Sequence, residues 1–231
     1  MTLNVVILAA GMGTRLGRPY PKPLTPLADG RSILRQQLDH VRAAFPDAHV
    51  SIVVGFKMDL VMEAAAGDAV FVYNELYDQT NTSKSLLKAL RLAPPGDVLW
   101  LNGDVVFVPG LLGSLAGHRG GSFVAVNTES VADEEVKYTL DGDGYIKELS
   151  KQVVGALGEA VGINFVTAAD RPVLLAHLAR CDDGDYFERG VETAISEAGL
   201  CFRAVDISAY GCVEVDFEPD LARANALESG A

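Results

Sequence analysis

Residues Leu3 to Leu24 read LNVVILAAGMGTRLGRPYPKPL. The apolar run Leu3 to Ala10 breaks into a loop that holds Gly11, Gly13 and Gly17. A short apolar run before a glycine-rich break predicts a buried strand entering a tight turn. Glycine has no Cβ, so backbone N–H groups there can turn inward and approach a ligand closely. Arg15 and Lys22 lie in the same loop, and Pro19, Pro21 and Pro23 stiffen its far end. Inward N–H groups with one guanidinium and one ammonium suit a polyanion such as a triphosphate. A purely structural turn is the plainer reading of the same glycines. The pattern G-x-x-x-x-G-K-[ST] is absent, and Leu16 occupies the last glycine position of G-x-G-x-x-G.

The 231 residues suffice for one α/β domain with a proper core. Apolar residues are 49% and charged residues 22%, as in soluble globular proteins. The net charge is −12, from 19 Lys plus Arg against 31 Asp plus Glu. That balance argues against nucleic acid or an anionic membrane as partner, since both attract basic surfaces. Positive charge at an anion site must therefore be local, with a divalent metal to supplement it. Cys181, Cys201 and Cys212 form no C-x-x-C pair and read as reduced, buried thiols of a cytoplasmic protein. Leu3 to Ala10 is too short for a membrane span and lacks a basic leader, so neither anchor nor signal peptide is expected.

Beyond the loop, Ser32 is placed to cap a helix over Ile33 to Phe45. A strand at Val50 to Val54, a helix at Asp59 to Ala66 and a strand at Ala69 to Tyr73 follow. This alternation predicts a parallel sheet covered on both faces. Asn81 and Thr82 precede the next helix, where capping and ligand contact are equally served by their side-chain oxygens. The strand Asp97 to Leu101 ends in Asn102-Gly103-Asp104. An aspartate beyond a strand's carboxyl end lies where such sheets bind ligands, and it is a hard oxygen ligand suited to magnesium. Alone, Gly-Asp there is more often a turn.

Farther on, a strand is expected at Gly121 to Asn127, then a solvated acidic loop at Asp133 to Glu135. Val136 to Leu140 and Tyr145 to Leu149 flank Asp141-Gly142-Asp143-Gly144, a hairpin signal rather than a calcium loop. Lys151 follows, then a strand around Gly162-Ile163-Asn164-Phe165. Helices are predicted at Arg171 to Arg180 and Tyr186 to Ala198, and a strand at Phe202 to Ile207. Glu214 and Asp216 would point the same way on a final strand, before a helix at Leu221 to Leu227.

The run L-A-A-G-x-G-x-R-L, followed by P-K-P-L, closely resembles the signature of the nucleotidyltransferases that join a nucleoside triphosphate to a phosphorylated sugar or alcohol. The resemblance covers Leu3 to about Ala226. It implies a Rossmann-like three-layer α/β/α fold with a mostly parallel, mixed central sheet. It implies a single domain with a nucleotide-binding part at about 1–110 and an acceptor-binding part at about 111–231, and no further carboxy-terminal domain. Leu8, Ala9, Ala10, Gly11, Met12, Gly13, Thr14, Arg15, Lys22, Asn81, Thr82 and Gly103 would bind the nucleotide. Arg15, Lys22 and Asp104 would be catalytic, with Mg²⁺ held by Asp104 and Asp216. Lys151, Gly162, Asn164, Tyr186 and Glu188 would bind the acceptor, though Tyr186 and Phe187 also suit a core.

Tyr77, Thr80, Asn81, Ser85 and Leu86 look most like the branch that includes bacterial phosphocholine cytidylyltransferases. Lys84 and Val213 stand where that branch often has aromatic residues, which leaves the acceptor open. The resemblance implies CTP and a phosphorylated alcohol or phosphonate as substrates. A sugar-1-phosphate uridylyl- or thymidylyltransferase is the nearest alternative, and a catalytically silent nucleotide sensor is the alternative from another class. Molybdenum-cofactor guanylyltransferases carry two glycines where Ala9 and Ala10 stand, and a metal-dependent glycosyltransferase needs an Asp-x-Asp that Asn102-Gly103-Asp104 does not supply.

Overall fold

The chain begins with β1 (Leu3–Ala9), α1 (Ile33–Ala44), β2 (His49–Val54), α2 (Met58–Ala64), β3 (Val70–Tyr73), α3 (Thr82–Leu92) and β4 (Asp97–Asn102). Then come β5 (Val105–Phe107), α4 (Leu111–Leu115), β6 (Phe123–Asn127), β7 (Lys137–Leu140), β8 (Ile146–Ser150) and β9 (Gly158–Val166). It ends with α5 (Arg171–Arg180), α6 (Phe187–Ala198), β10 (Arg203–Asp206), β11 (Cys212–Glu214) and α7 (Glu218–Ser229). The computed structural model describes residues 2–13, 16–65, 67–129, 131 and 134–229.

The main sheet has the order β10-β6-β9-β4-β1-β2-β3, with the β7–β8 hairpin joined through β9. Strand β1 is buried along its whole length and runs parallel to both β2 and β4. Only β9 runs against its neighbours β4 and β6 in that path. The sheet is therefore mixed and mostly parallel, as expected. The period of two along β1 splits its side chains between two layers. Val5 and Ile7 pack with Leu34, Leu38 and Val41 of α1, while Val6 and Leu8 pack with Leu86 and Leu90 of α3 and Phe187 of α6. Helices thus cover both faces, which explains why β1 reads as one continuous apolar run.

Chain order reverses at β1: β2 and β3 lie on one side of it and β4 on the other. Crevices at the carboxyl ends of the strands at such a point are where open α/β sheets bind ligands. Ser32 caps α1, its Oγ accepting from the Arg35 N–H at 3.1 Å. The hairpin turn is closed by Asp141, whose Oδ1 accepts from the N–H groups of Asp143 and Tyr145, both at 2.9 Å.

Several elements differ from the sequence reading. Helix α2 starts at Met58, after Lys57 in the left-handed region at φ 45°. Strands β5 and β11 form a separate antiparallel pair, and neither β5 nor α4 was expected. Strand β11 stops at Glu214, so Glu214 and Asp216 do not share a strand face. The chain bends instead where the Val215 N–H donates to the Asp104 carbonyl at 2.9 Å. Helix α7 starts earlier than expected, and Asp220 accepts from the N–H groups of Asp216 and Phe217 at its entrance. Among the described residues, no helix is long and apolar enough to cross a membrane.

Candidate active site

Past Ala9 the backbone turns at Gly11 and Gly13, and Gly13 sits at φ +57°. A Cβ on Gly13 would lie 2.9 Å from the Lys22 Cβ, so the loop closes on itself only with glycine there. Pro21 and Pro23 flank Lys22 in a turn of 3-10 helix over Lys22–Leu24. The loop is strapped from outside by Lys57, whose Nζ donates to the Pro19 carbonyl. Thr14 and Arg15 lie outside the described residues.

The second wall is the end of β4. The Gly103 N–H donates to the Leu8 carbonyl at 3.0 Å. A Cβ on Gly103 would meet that same carbonyl oxygen at 2.6 Å, so glycine alone lets the two strand ends meet. Asp104 follows immediately. Its carboxylate accepts from Lys22 Nζ at 2.9 Å, and Asp216 accepts from the same nitrogen. Lys22 is only 9% exposed. Burial alone would lower its pKa, but the charges and hydrogen bonds of Asp104 and Asp216 outweigh that and hold it above the usual lysine value.

Glu214 completes the cluster. Ligand oxygens of Asp104, Glu214 and Asp216 lie within 4.8 Å of one another. Burial, then the charges of Asp104, Glu135 and Asp216, push the Glu214 carboxyl well above the usual range. Three clustered carboxylates facing one ammonium form a donor set for a hard divalent cation. Asp104, Asp216 and Glu214 are the residues that would hold Mg²⁺.

These groups open into a cavity of about 530 Å³. Leu8, Ala9, Gly11, Met12, Gly13, Lys22 and Gly103 line it, together with Tyr77, Asp78, Gln79 and Thr80. Asn81 and Thr82 also line it, and both are engaged in the fold. Asn81 Oδ1 accepts from the Thr82 N–H at 2.8 Å and its Nδ2 donates to Gly184 O, while Thr82 Oγ1 accepts from the Phe187 N–H at 3.0 Å. Lys84 donates to the Cys181 carbonyl, which ties α3 to the loop before α6.

Lys151, Gly162, Tyr186 and Glu188 line the same cavity. Gly162 has φ +71°, and a Cβ there would meet Asn102 Nδ2 at 2.7 Å. Lys151 Nζ lies 5.1 Å from the centre of the Tyr186 ring. Phe187 is buried, its ring edge-on to Trp100 at 5.6 Å, and so belongs to the core. Glu188 is buried, and burial raises its pKa from 4.5 to about 7.

Two expected contacts fall elsewhere. Asn164 lies opposite Trp100 and Val124 in the sheet, 1% exposed and away from the cavity. It sits two residues past Gly162, about 7 Å deeper along the strand. Ala10 turns from the cavity, and its carbonyl accepts from the Phe56 N–H at 3.1 Å. Glu134 is exposed in a turn, as expected of a solvated loop, but it and the half-buried Glu135 also line the cavity; Asp133 lies outside the described residues. Burial, then the Glu159 and Asp216 charges, raises the Glu135 pKa. The alternation of Glu214 with Asp216 was the available sign for Glu214; nothing in the order of residues marks Glu135.

Residues 5–139 match the family of MobA-like NTP transferase domains. The CMP-5'-(3-aminopropyl)phosphonate synthase of Streptomyces rubellomurinus is 30% identical over 96% of this chain and 38% of its own length. The chain thus spans well under half of that relative, and 21–33% of bifunctional GlmU proteins that also match. The solved CTP:phosphocholine cytidylyltransferase of Streptococcus pneumoniae superposes with a TM-score of 0.76 at 19% identity, covering 99% of this chain and 100% of that one. The inositol-1-phosphate CTP transferase of T. maritima gives 0.77 at 15% identity, covering 100% and 98%. With the family match spanning more than half of the sequence, and the fold shared end to end, this chain belongs to the MobA-like NTP transferase family of nucleotidyltransferases.

Proposed function

We propose that the protein transfers CMP from CTP to a phosphate or phosphonate oxygen of a small phosphorylated alcohol or phosphonate, releasing pyrophosphate. The observation that carries this reading is Lys22, held between Asp104 and Asp216 beside the β1–β4 crevice, with Lys151 lining the same cavity. The choice of CTP rests on relatives whose names specify CMP or CTP.

In this reading the Gly11–Gly13 backbone receives the triphosphate, and the leaving pyrophosphate is assigned to Arg15. Lys22 neutralises charge that develops at the α-phosphate. Lys151 orients the acceptor's anionic group. That group is largely a dianion near neutral pH, its second pKa being about 6, so it attacks the α-phosphorus without a general base. The chain's task is to bring two anions together in line and hold charge on the phosphoryl oxygens. Bound at Asp104, Asp216 and Glu214, Mg²⁺ would add positive charge for both anions.

The test is pyrophosphate release with Mg²⁺, crossing four nucleoside triphosphates against alcohol phosphates, phosphonates and sugar 1-phosphates. Release with CTP and an alcohol phosphate or phosphonate is the expected result. Release with UTP or dTTP and a sugar phosphate moves the protein to the sugar branch. Nucleotide binding without release from any pair overturns the catalytic reading in favour of a sensor.

A further inference from the structure

The cavity holds a carboxyl group that the reaction does not use. Glu188 stands in the first turn of α6 and lines the cavity, yet it is 8% exposed. Its Oε2 is buried and has no hydrogen-bond partner. One backbone N–H, its own, serves the carboxylate, and Lys151 and Glu135 act on it only through their charges. A buried carboxylate without a hydrogen-bonded cation is costly, and a cation bearing N–H donors relieves that cost best.

We infer that the acceptor is a zwitterion: its phosphate or phosphonate faces Lys151, and an N–H-bearing ammonium at its other end is held by Glu188, with Glu135 beside it. This rests on the proposed nucleotidyl transfer and narrows its acceptor. A hydroxyl or polyol end would leave Glu188 without a bonded cation. A trimethylammonium end has no N–H to donate and is best served by open aromatic faces. Here Tyr186 already has the Lys151 ammonium at 5.1 Å from its ring centre, and Phe187 is 1% exposed.

The test uses three ligands of one length: 2-aminoethylphosphonate, 2-hydroxyethylphosphonate and the trimethylated amine. Each is titrated calorimetrically into the full chain with Mg²⁺ and a non-hydrolysable CTP analogue, and each is assayed for pyrophosphate release with CTP. The amine binds about 10- to 100-fold tighter than either analogue, and in Glu188→Gln the three fall within about threefold of one another because the amine alone is weakened. Equal binding of the three by the native chain overturns the inference, as does binding of none. Equal weakening of all three in Glu188→Gln also overturns it, since that marks a structural role. Should Glu188→Gln fail to fold, Glu135→Gln must lower the preference for the amine. Selective amine binding without pyrophosphate release keeps the inference and removes the transfer reading. Release without preference for the amine does the reverse.

Discussion

Lys22 Nζ lies 2.9 Å from Asp104 Oδ2, although 82 positions separate the two residues. Asp216 accepts from the same nitrogen. The ammonium is therefore the counter-ion of the carboxylate cluster as well as the charge that the proposed reaction assigns to the nucleotide. Lys22→Ala should cut kcat by about 100- to 1,000-fold, as does loss of one preorganised donor at a developing negative charge. It should also lower the melting temperature, because the carboxylates lose their cation. Added Mg²⁺ should recover more of that temperature in the variant than in the native chain. A variant with near-normal turnover removes Lys22 from the mechanism.

The cation donors predict a graded metal affinity. Asp104→Asn, Asp216→Asn and Glu214→Gln should each weaken Mn²⁺ binding by about tenfold or more, through loss of one charged oxygen ligand. Electron paramagnetic resonance reads this binding without turnover. Unchanged affinity in Glu214→Gln would restrict the set to the two aspartates.

Gly103 and Gly110 separate two reasons for glycine. Gly110 has φ +92° with open space around it, so Gly110→Ala should cost about 1–2 kcal/mol of backbone strain. Gly103 has no left-handed backbone, yet its added Cβ would strike the Leu8 carbonyl at 2.6 Å. Gly103→Ala must part the ends of β1 and β4, and should lower both melting temperature and kcat. Gly110→Ala should leave kcat unchanged. Equal effects on turnover would show that the strand ends do not control the site.

Glu188 predicts the slope of stability against pH. Its carboxyl has a pKa near 4.5 in the unfolded chain and about 7 in the fold, because burial disfavours the charged form. Between these values the unfolded chain has released a proton that the fold still holds, so stability falls as pH rises. Above pH 7 the loss levels off at about 3 kcal/mol. Glu188→Gln should remove this part of the slope and melt higher than the native chain at pH 8. Denaturant unfolding from pH 4 to pH 8 measures both curves; parallel slopes would refute the assignment.

Much of the framework was legible because one physical rule governed each part. Strands β1 and β4 are buried on both faces and so read as apolar runs. Ser32 and Asp141 each act within a few residues of themselves, which leaves a local mark. The loop, Lys22, Asp104 and Asp216 came from motif resemblance, and the fold gathers the described ones around one cavity. Asn164 shows where such reading fails: residue types along a strand give a face but not a depth. Strands β5 and β11, three residues each, pair across roughly a hundred positions and leave no periodic signal of their own. Glu135 is drawn into the cavity by distant parts of the chain, and Lys84 finds its partner 97 positions away. A residue read as polar and surface-like can be recruited by packing that local sequence does not describe.

The β5–β11 pairing also sets a clock. Asp216 follows Lys22 by 194 positions, so at ordinary ribosomal speed roughly 10–40 s separate their synthesis. For the first 82 of those positions Asp104 has yet to be made, and β5, made just after it, then waits for its partner until Cys212–Glu214 are added. The second aspartate and Glu214 arrive together, on the same short strand and the bend after it. A growing polypeptide therefore holds the glycine loop and Lys22 well before Glu214 and Asp216, the last two carboxylates of the cluster, exist to surround that lysine.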